Sequence, residues 1–259
     1  MTDPRPWIEA VRRSHDRLAA LVAGLAGADL GRRSACSEWS VAQVLSHLGS
    51  QAEIFSLFVD AGVSGADAPS HEAFAPIWEA WNHRSPQAQA SDSVSANEAF
   101  VARIESLDTT ALDGFLLDMF GRTLDAAGLL RMRLSEHAVH AWDVAVAFDD
   151  SSEVAADAVG LLVDGLGETA ARSGKAAGHR LDASILTSMP ERHFSLRVGE
   201  EVRLDLTDGP SSPAASIEMP AEALLRLVYG RVDGLHPPQG EVKARGVTLS
   251  ELAAVFGGF

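Results

Sequence analysis

The 259-residue chain is 46% hydrophobic and 22% charged, a globular balance that excludes disordered, collagen-like and low-complexity architectures. Its 21 basic and 36 acidic residues give a formal charge of −15, which repels phosphate backbones and argues against a nucleic-acid partner. The single cysteine, Cys36, excludes an intrachain disulfide and a multi-cysteine zinc ribbon. Met1 is followed by Thr2, Asp3 and Pro4, without a basic-then-apolar leader, so the expected compartment is a reducing cytoplasm. No uncharged run approaches the ~18–20 apolar residues of a membrane span, and no membrane partner is expected.

From Trp7, the residues Ile8, Val11, Leu18, Leu21, Val22 and Leu25 recur at helical spacing, with Gly24 and Gly27 available to close the helix. A polar loop, Ser34 to Trp39, leads to Ser40 and Gln43, a capping-box pair. That pair opens a second helix through Val44, Leu48, Ile54 and Phe58, expected to end near Gly62. Residues 62–92 are rich in Gly, Ala, Ser and Pro and read as a long excursion with one short helix around Trp78 and Trp81, placed to cover a site. Ser95 and Glu98 form a further capping-box pattern before Phe100, Val101, Ile104 and Leu107. A helix is predicted from about Asp125 to Phe148, and another from Glu153 to Leu166.

The pattern then changes. Residues 183–189 read as a strand, and 193–198 and 202–206 as a hairpin turning at Gly199-Glu200. A short strand at 215–219 precedes a helix that starts at Pro220 and stops at Gly230. A last strand within 242–247 and a terminal helix capped by Ser250 complete the chain. Helices followed by mixed strands and helices predict an α+β protein of two domains, a helical bundle over 1–166 and a smaller α+β domain over 167–259. Charge divides similarly. Residues 1–165 hold 11 basic and 24 acidic residues (net −13), and residues 166–259 hold 10 and 12 (net −2). An anionic ligand would find its cations more readily in the second part.

Candidate chemistry centres on two helices. Glu136 and His140 are i and i+4 neighbours, and Asp143 continues their face. A carboxylate and an imidazole one turn apart can ligate one metal ion, and His47 on a facing helix completes a three-ligand site with an open position, as in hydrolytic zinc or ferrous centres. The same spacing also suits an exposed Glu–His pair of no special chemistry. Asp143 is expected to hold a ligating imidazole. His137 points away and is expected to be solvated or capping.

The segment Trp39-Ser-Val-Ala-Gln-Val-Leu-Ser-His47-Leu-Gly49 resembles a signature of the mycothiol-dependent maleylpyruvate isomerase-like proteins, which are DinB-like helical-bundle metalloenzymes. Glu136-His-Ala-Val-His140-Ala-Trp-Asp143 resembles their second signature. The resemblance implies a four-helix bundle with a sterol-carrier-like α+β domain, and zinc or another divalent ion on His47, Glu136 and His140. It also implies mycothiol as thiol cosubstrate, with isomerisation or S-transfer on a small unsaturated or electrophilic substrate. Leu225-Arg226-Leu-Val-Tyr-Gly230-Arg231 is similar to a family segment in the second domain, which makes Arg231 a candidate for holding an anionic substrate or cofactor. Cys36, without a clear base, is expected to be structural. The alternative is a non-catalytic metal-binding regulatory or ligand-binding protein, and a monomer or small homo-oligomer is expected.

Overall fold

A computed structural model describes residues 2–36, 38–119, 121–176, 178–209 and 214–258. Ser37, in the expected polar loop, lies outside the described residues. The protein is α+β and divides into two compact units, Met1–Ser152 and Glu153–Phe259. Among the described residues, no helix is long and apolar enough to cross a membrane.

The first unit contains α1 (Arg5–Ala23), α2 (Val41–Ser64), α3 (Ala75–Asn82), α4 (Pro86–Glu105), α5 (Thr109–Asp113), a hairpin of β1 (Leu117–Met119) and β2 (Arg122–Leu124), and α6 (Ala126–Ala145). α1, α2, α4 and α6 pack on one another. Their seams bury Val11 and Leu18 of α1, Leu45 and Leu48 of α2, Phe100 and Ile104 of α4, and Leu130 and Leu134 of α6. α2 runs past Gly62 and stops at Gly65, which takes a left-handed φ of 69°. Gly62 instead makes room for the Phe115 ring, which a Cβ there would overlap.

The expected excursion at 62–92 is largely helical. α4 begins at Pro86, with the Ser85 hydroxyl accepting from the Ala88 N–H, so the expected Ser95 cap lies inside the helix. The Ser95 hydroxyl donates to the Ser91 carbonyl one turn back. The early turns of α4 escape apolar periodicity because their buried positions include Gln89, Ser93 and Asn97.

The second unit opens with α7 (Ala156–Leu162) and α8 (Leu166–Ser173), joined by a short 3₁₀ turn where one helix was expected. β3 (Leu181–Ser188), β4 (Arg192–Val198), β5 (Val202–Thr207), β6 (Ala215–Pro220) and β7 (Lys243–Arg245) form one sheet in the order β5-β4-β3-β6-β7. β3 and β6 are parallel and the other pairs antiparallel. α9 (Ala221–Val228) follows β6 directly, as the Pro220 signal predicts. α10 (Leu249–Val255) is capped by Thr248 rather than Ser250: the Thr248 hydroxyl accepts from the Glu251 N–H, and the Glu251 carboxylate accepts from the Thr248 N–H.

Candidate metal centre and the cavity beside it

The capping box sets the start of α2. The Ser40 hydroxyl accepts from the Gln43 N–H at 3.3 Å, and the Gln43 side-chain oxygen accepts from the Ser40 N–H at 2.9 Å. Two turns later the imidazole of His47 emerges half-buried opposite α6, while Leu45 and Leu48 bury into the bundle. On α6 the i, i+4 spacing brings Glu136 and His140 to one face, and His47 meets them. His47 Nε2 lies 3.3 Å and His140 Nε2 3.7 Å from Glu136 Oε2. One donor atom from each of the three lies within 4.8 Å of the others. Tetrahedral zinc with bonds near 2.0–2.1 Å needs donors roughly 3.3 Å apart, so this set fits such an ion.

The outer nitrogen of His140 is also held. His140 Nδ1 is 2.8 Å from Asp143 Oδ2, and Asp143 is fully buried. The loop before α2 folds onto the same place, where Arg33 and Ser40 form a bridge and the Ala35 N–H donates to the Asp143 carbonyl. This return brings Cys36, buried, into a second group with His140 and Asp143. It also sets the Trp39 ring 5.3 Å from that of His47 and 6.3 Å from that of His140.

The electrostatics follow from these neighbours. Burial lowers the pKa of His47 below 6.5, opposed by the hydrogen bond with Glu136. Burial would raise Glu136, but the His47 contact and the nearby His140 and Arg133 outweigh it and bring the carboxyl down to about 2. Burial also works against a charged His140, yet Asp143, Cys36 and Glu136 outweigh it and hold the imidazole up at about 10. The centre therefore sets a charged Glu136 beside a charged His140, while burial disfavours a second charged imidazole at His47. His137 corrects its expectation, being buried rather than solvated, with Nδ1 2.8 Å from the Ser14 hydroxyl. Burial, then Arg133, push it well below 6.5.

A cavity of about 530 Å³ opens beside His47. Its described lining is Trp39, Gln43, His47, Ser50 and Gln51 with Trp78 and Asn82 of α3 and Gln89 of α4. The α3 wall is pinned by Trp81. Its indole lies against Gly49, where a Cβ would overlap the ring, and its Nε1–H donates to Glu53 at 2.9 Å. The Arg84 guanidinium stacks 3.6 Å from the Trp81 ring and pairs with Glu53 and Asp92. The two tryptophans in the 62–92 segment were the only sequence signal for this wall. Gln51 and Asn82 carry no such signal.

Arg231 belongs to the second unit. It follows Gly230, whose φ of 70° ends α9, and its Nη1 donates to the Tyr229 carbonyl at 2.9 Å. Arg226 is buried in the same unit, paired with Glu222 and donating to the carbonyls of Arg231, His236 and Pro237.

The first unit is a helical bundle whose facing helices bring His47, Glu136 and His140 together, a placement in which bundle proteins can build metal sites. Residues 11–145 match the family model described as the mycothiol maleylpyruvate isomerase N-terminal domain, and the chain belongs to this family. Two solved structures share the fold. The crystal structure of the mycothiol-dependent maleylpyruvate isomerase matches with a TM-score of 0.67 at 14% identity, covering 94% of this chain and 93% of that one. A histidine-to-alanine mutant of that isomerase matches with a TM-score of 0.65, also at 14% identity, covering 89% and 90%. No curated protein matches.

Proposed function

We propose that the chain is a metal-dependent enzyme that uses a low-molecular-weight thiol, mycothiol, for isomerisation or S-transfer on a small unsaturated or electrophilic substrate. His47, Glu136 and His140 hold a divalent ion, zinc. The convergence of those three donors within 4.8 Å carries the reading. Family membership and the names of the similar structures supply the thiol and the reaction class. When bound, the ion supplies positive charge that lowers the pKa of an added thiol, so that the nucleophilic thiolate is present at neutral pH.

The chain's own residues do the rest. Asp143 fixes the ring and tautomer of His140 by holding Nδ1, which leaves Nε2 for the centre. Trp39 offers an aromatic surface beside the two imidazoles. Among the described residues, the His47–Glu136–His140 group gains no fourth His, Cys, Asp or Glu, because Cys36 groups with His140 and Asp143 while His137 turns to Ser14. An open position supports catalysis over a purely structural ion. Arg231 is proposed to hold the anionic end of substrate or cofactor through its planar guanidinium.

The test is metal analysis of the purified chain, followed by assay of maleylpyruvate isomerisation and of electrophile conjugation with mycothiol or glutathione. Stoichiometric zinc and mycothiol-dependent turnover are expected. Absence of a bound divalent metal, or turnover indifferent to thiol, overturns the reading. Arg231→Lys should keep the metal and raise the apparent substrate constant, and unchanged kinetics would remove Arg231 from the site.

A further inference from the structure

We propose that Cys36, Asp143 and the Nδ1 side of His140 form a second cation site, selective for thiophilic ions, which cannot be filled together with the His47–Glu136–His140 centre. The exclusion rests on the metal reading above, but the second site does not. One donor atom each of Cys36, His140 and Asp143 lies within 4.8 Å of the other two. A tetrahedral ion with a metal–sulfur bond of ~2.3 Å and a metal–nitrogen bond of ~2.0 Å holds those two donors about 3.5 Å apart, inside that limit. The backbone fixes the thiol in place. The Cys36 N–H donates to the Ser34 hydroxyl at 3.1 Å, and the Cys36 carbonyl accepts from the Trp39 N–H at 3.0 Å. The neighbouring Ala35 N–H donates to the Asp143 carbonyl at 3.1 Å, which draws the loop onto α6. Cys36 and Asp143 are both buried, so a thiolate and a carboxylate side by side there lose hydration that a multivalent cation offsets.

The two donor sets differ in kind. The first offers two imidazoles and a carboxylate, whereas the second includes the chain's single thiol. Thiolate sulfur selects soft ions such as copper(I), and cadmium shares that preference. Ions of this class go to Cys36, and ions that accept nitrogen and oxygen go to His47. The ring that the two sets share couples them. A neutral imidazole carries a proton on one ring nitrogen and a free lone pair on the other. His140 Nδ1 lies 2.8 Å from Asp143 Oδ2, and Nε2 lies 3.7 Å from Glu136 Oε2. An ion on Nδ1 leaves the proton on Nε2, so His140 no longer ligates beside Glu136. An ion on Nε2 leaves the proton on Nδ1, where Asp143 accepts it. Binding at the second site releases the Cys36 thiol proton and the Nδ1 proton to solvent. A thiophilic ion thus unloads the first centre without contacting His47 or Glu136.

Cadmium is the probe, added to the full chain after chelation has removed resident metal. Cys36 is the only cysteine, so the ultraviolet thiolate-to-cadmium charge-transfer band reports this thiol alone. The band should saturate at one cadmium per chain and be lost in Cys36→Ser and in His140→Ala. His47→Ala should keep the band with an unchanged midpoint. Cadmium added to the zinc-loaded chain should release the zinc and leave one bound ion in total by elemental analysis, while Cys36→Ser keeps its zinc at the same cadmium concentration. Absence of the band from the unmodified chain overturns the proposal. A band that His47→Ala weakens overturns it too, because Cys36 then reaches into the first centre as a fourth ligand. Two ions bound at once, or equal zinc release from Cys36→Ser, overturn the exclusion. The His47→Ala titration needs no ion at the first centre, so a chain that binds no zinc and turns over no thiol fails the function proposed above and still shows the band.

Discussion

Helix α6 passes through two regions of the bundle and carries a histidine into each. Around His140 the neighbours are carboxylates: Glu136 Oε2 at 3.7 Å and the buried Asp143 at 2.8 Å. Around His137 they are the Ser14 hydroxyl, and the guanidinium of Arg133, which lies over Phe55 and Phe100 at about 5.5 Å. His140 is held in its charged form among those carboxylates, whereas burial and Arg133 disfavour a charged His137. Burial acts on both imidazoles in the same direction, so the opposite shifts come from charged neighbours, most of them on α6 itself: Asp143 and Glu136 one turn from His140, joined by Cys36 from the loop before α2, and Arg133 one turn before His137. Spacing along one helix thus sets one imidazole among carboxylates and the other beside a guanidinium.

Metal content tests this contrast most strongly. His47→Ala and His140→Ala should each lose most of the bound divalent ion, while His137→Ala should keep it, as read by elemental analysis after dialysis. Retention by the first two variants, or loss by the third, would erase the distinction. Next in size, Asp143→Ala should weaken metal affinity roughly 10–100-fold, because the His140 ring loses the carboxylate that orients it. Competition with a chromogenic chelator measures this, and an unchanged affinity would detach Asp143 from the centre.

The opposite side of α6 answers to stability instead. His137→Ala removes a buried ring and strands the Ser14 hydroxyl, so urea unfolding of the metal-free chain should show a loss of about 1–3 kcal/mol. The smallest effect concerns His15, buried on α1 with Nε2 3.0 Å from Glu98. Burial depresses its pKa below 6.5 against the pull of Glu98, so its stabilising effect is complete above 6.5 and is lost as pH falls toward the folded value. Between pH 7.5 and 5.5 the unmodified chain should lose stability faster than His15→Gln. The difference should be a fraction of the ~1.4 kcal/mol per pH unit that one full proton would give. Glu98, held below 4.5 by Arg12, contributes only under that window. Parallel pH profiles would show that His15 titrates as it does in the unfolded chain.

Much of the fold is legible in the sequence. Apolar periodicity located α1, α2 and α6, and the alternating runs on either side of Gly199-Glu200 located β4 and β5. The juxtaposition of His47 with Glu136 and His140 followed from one helical spacing and a family resemblance. The turns of α4 before Phe100 were not legible, since buried Gln89, Ser93 and Asn97 look like a solvated stretch. β1 and β2, at three residues each, are too short to show a period. The approach of Cys36 and Trp39 to His140 was also invisible, because it depends on a loop whose Ala35 N–H finds a carbonyl more than a hundred residues away.

Gly49 gives one of these features a practical use. The Trp81 indole occupies the space where its side chain would stand, two residues after His47 on α2. α3 also carries Trp78, so the width of the cavity beside His47 is set by an atom that is missing from the polypeptide. That makes position 49 a dial for engineering: Ala, Ser and Val would push the indole outward in steps and carry Trp78 with it. Selectivity could then be retuned from behind the wall, with every ligand and lining side chain left as it is.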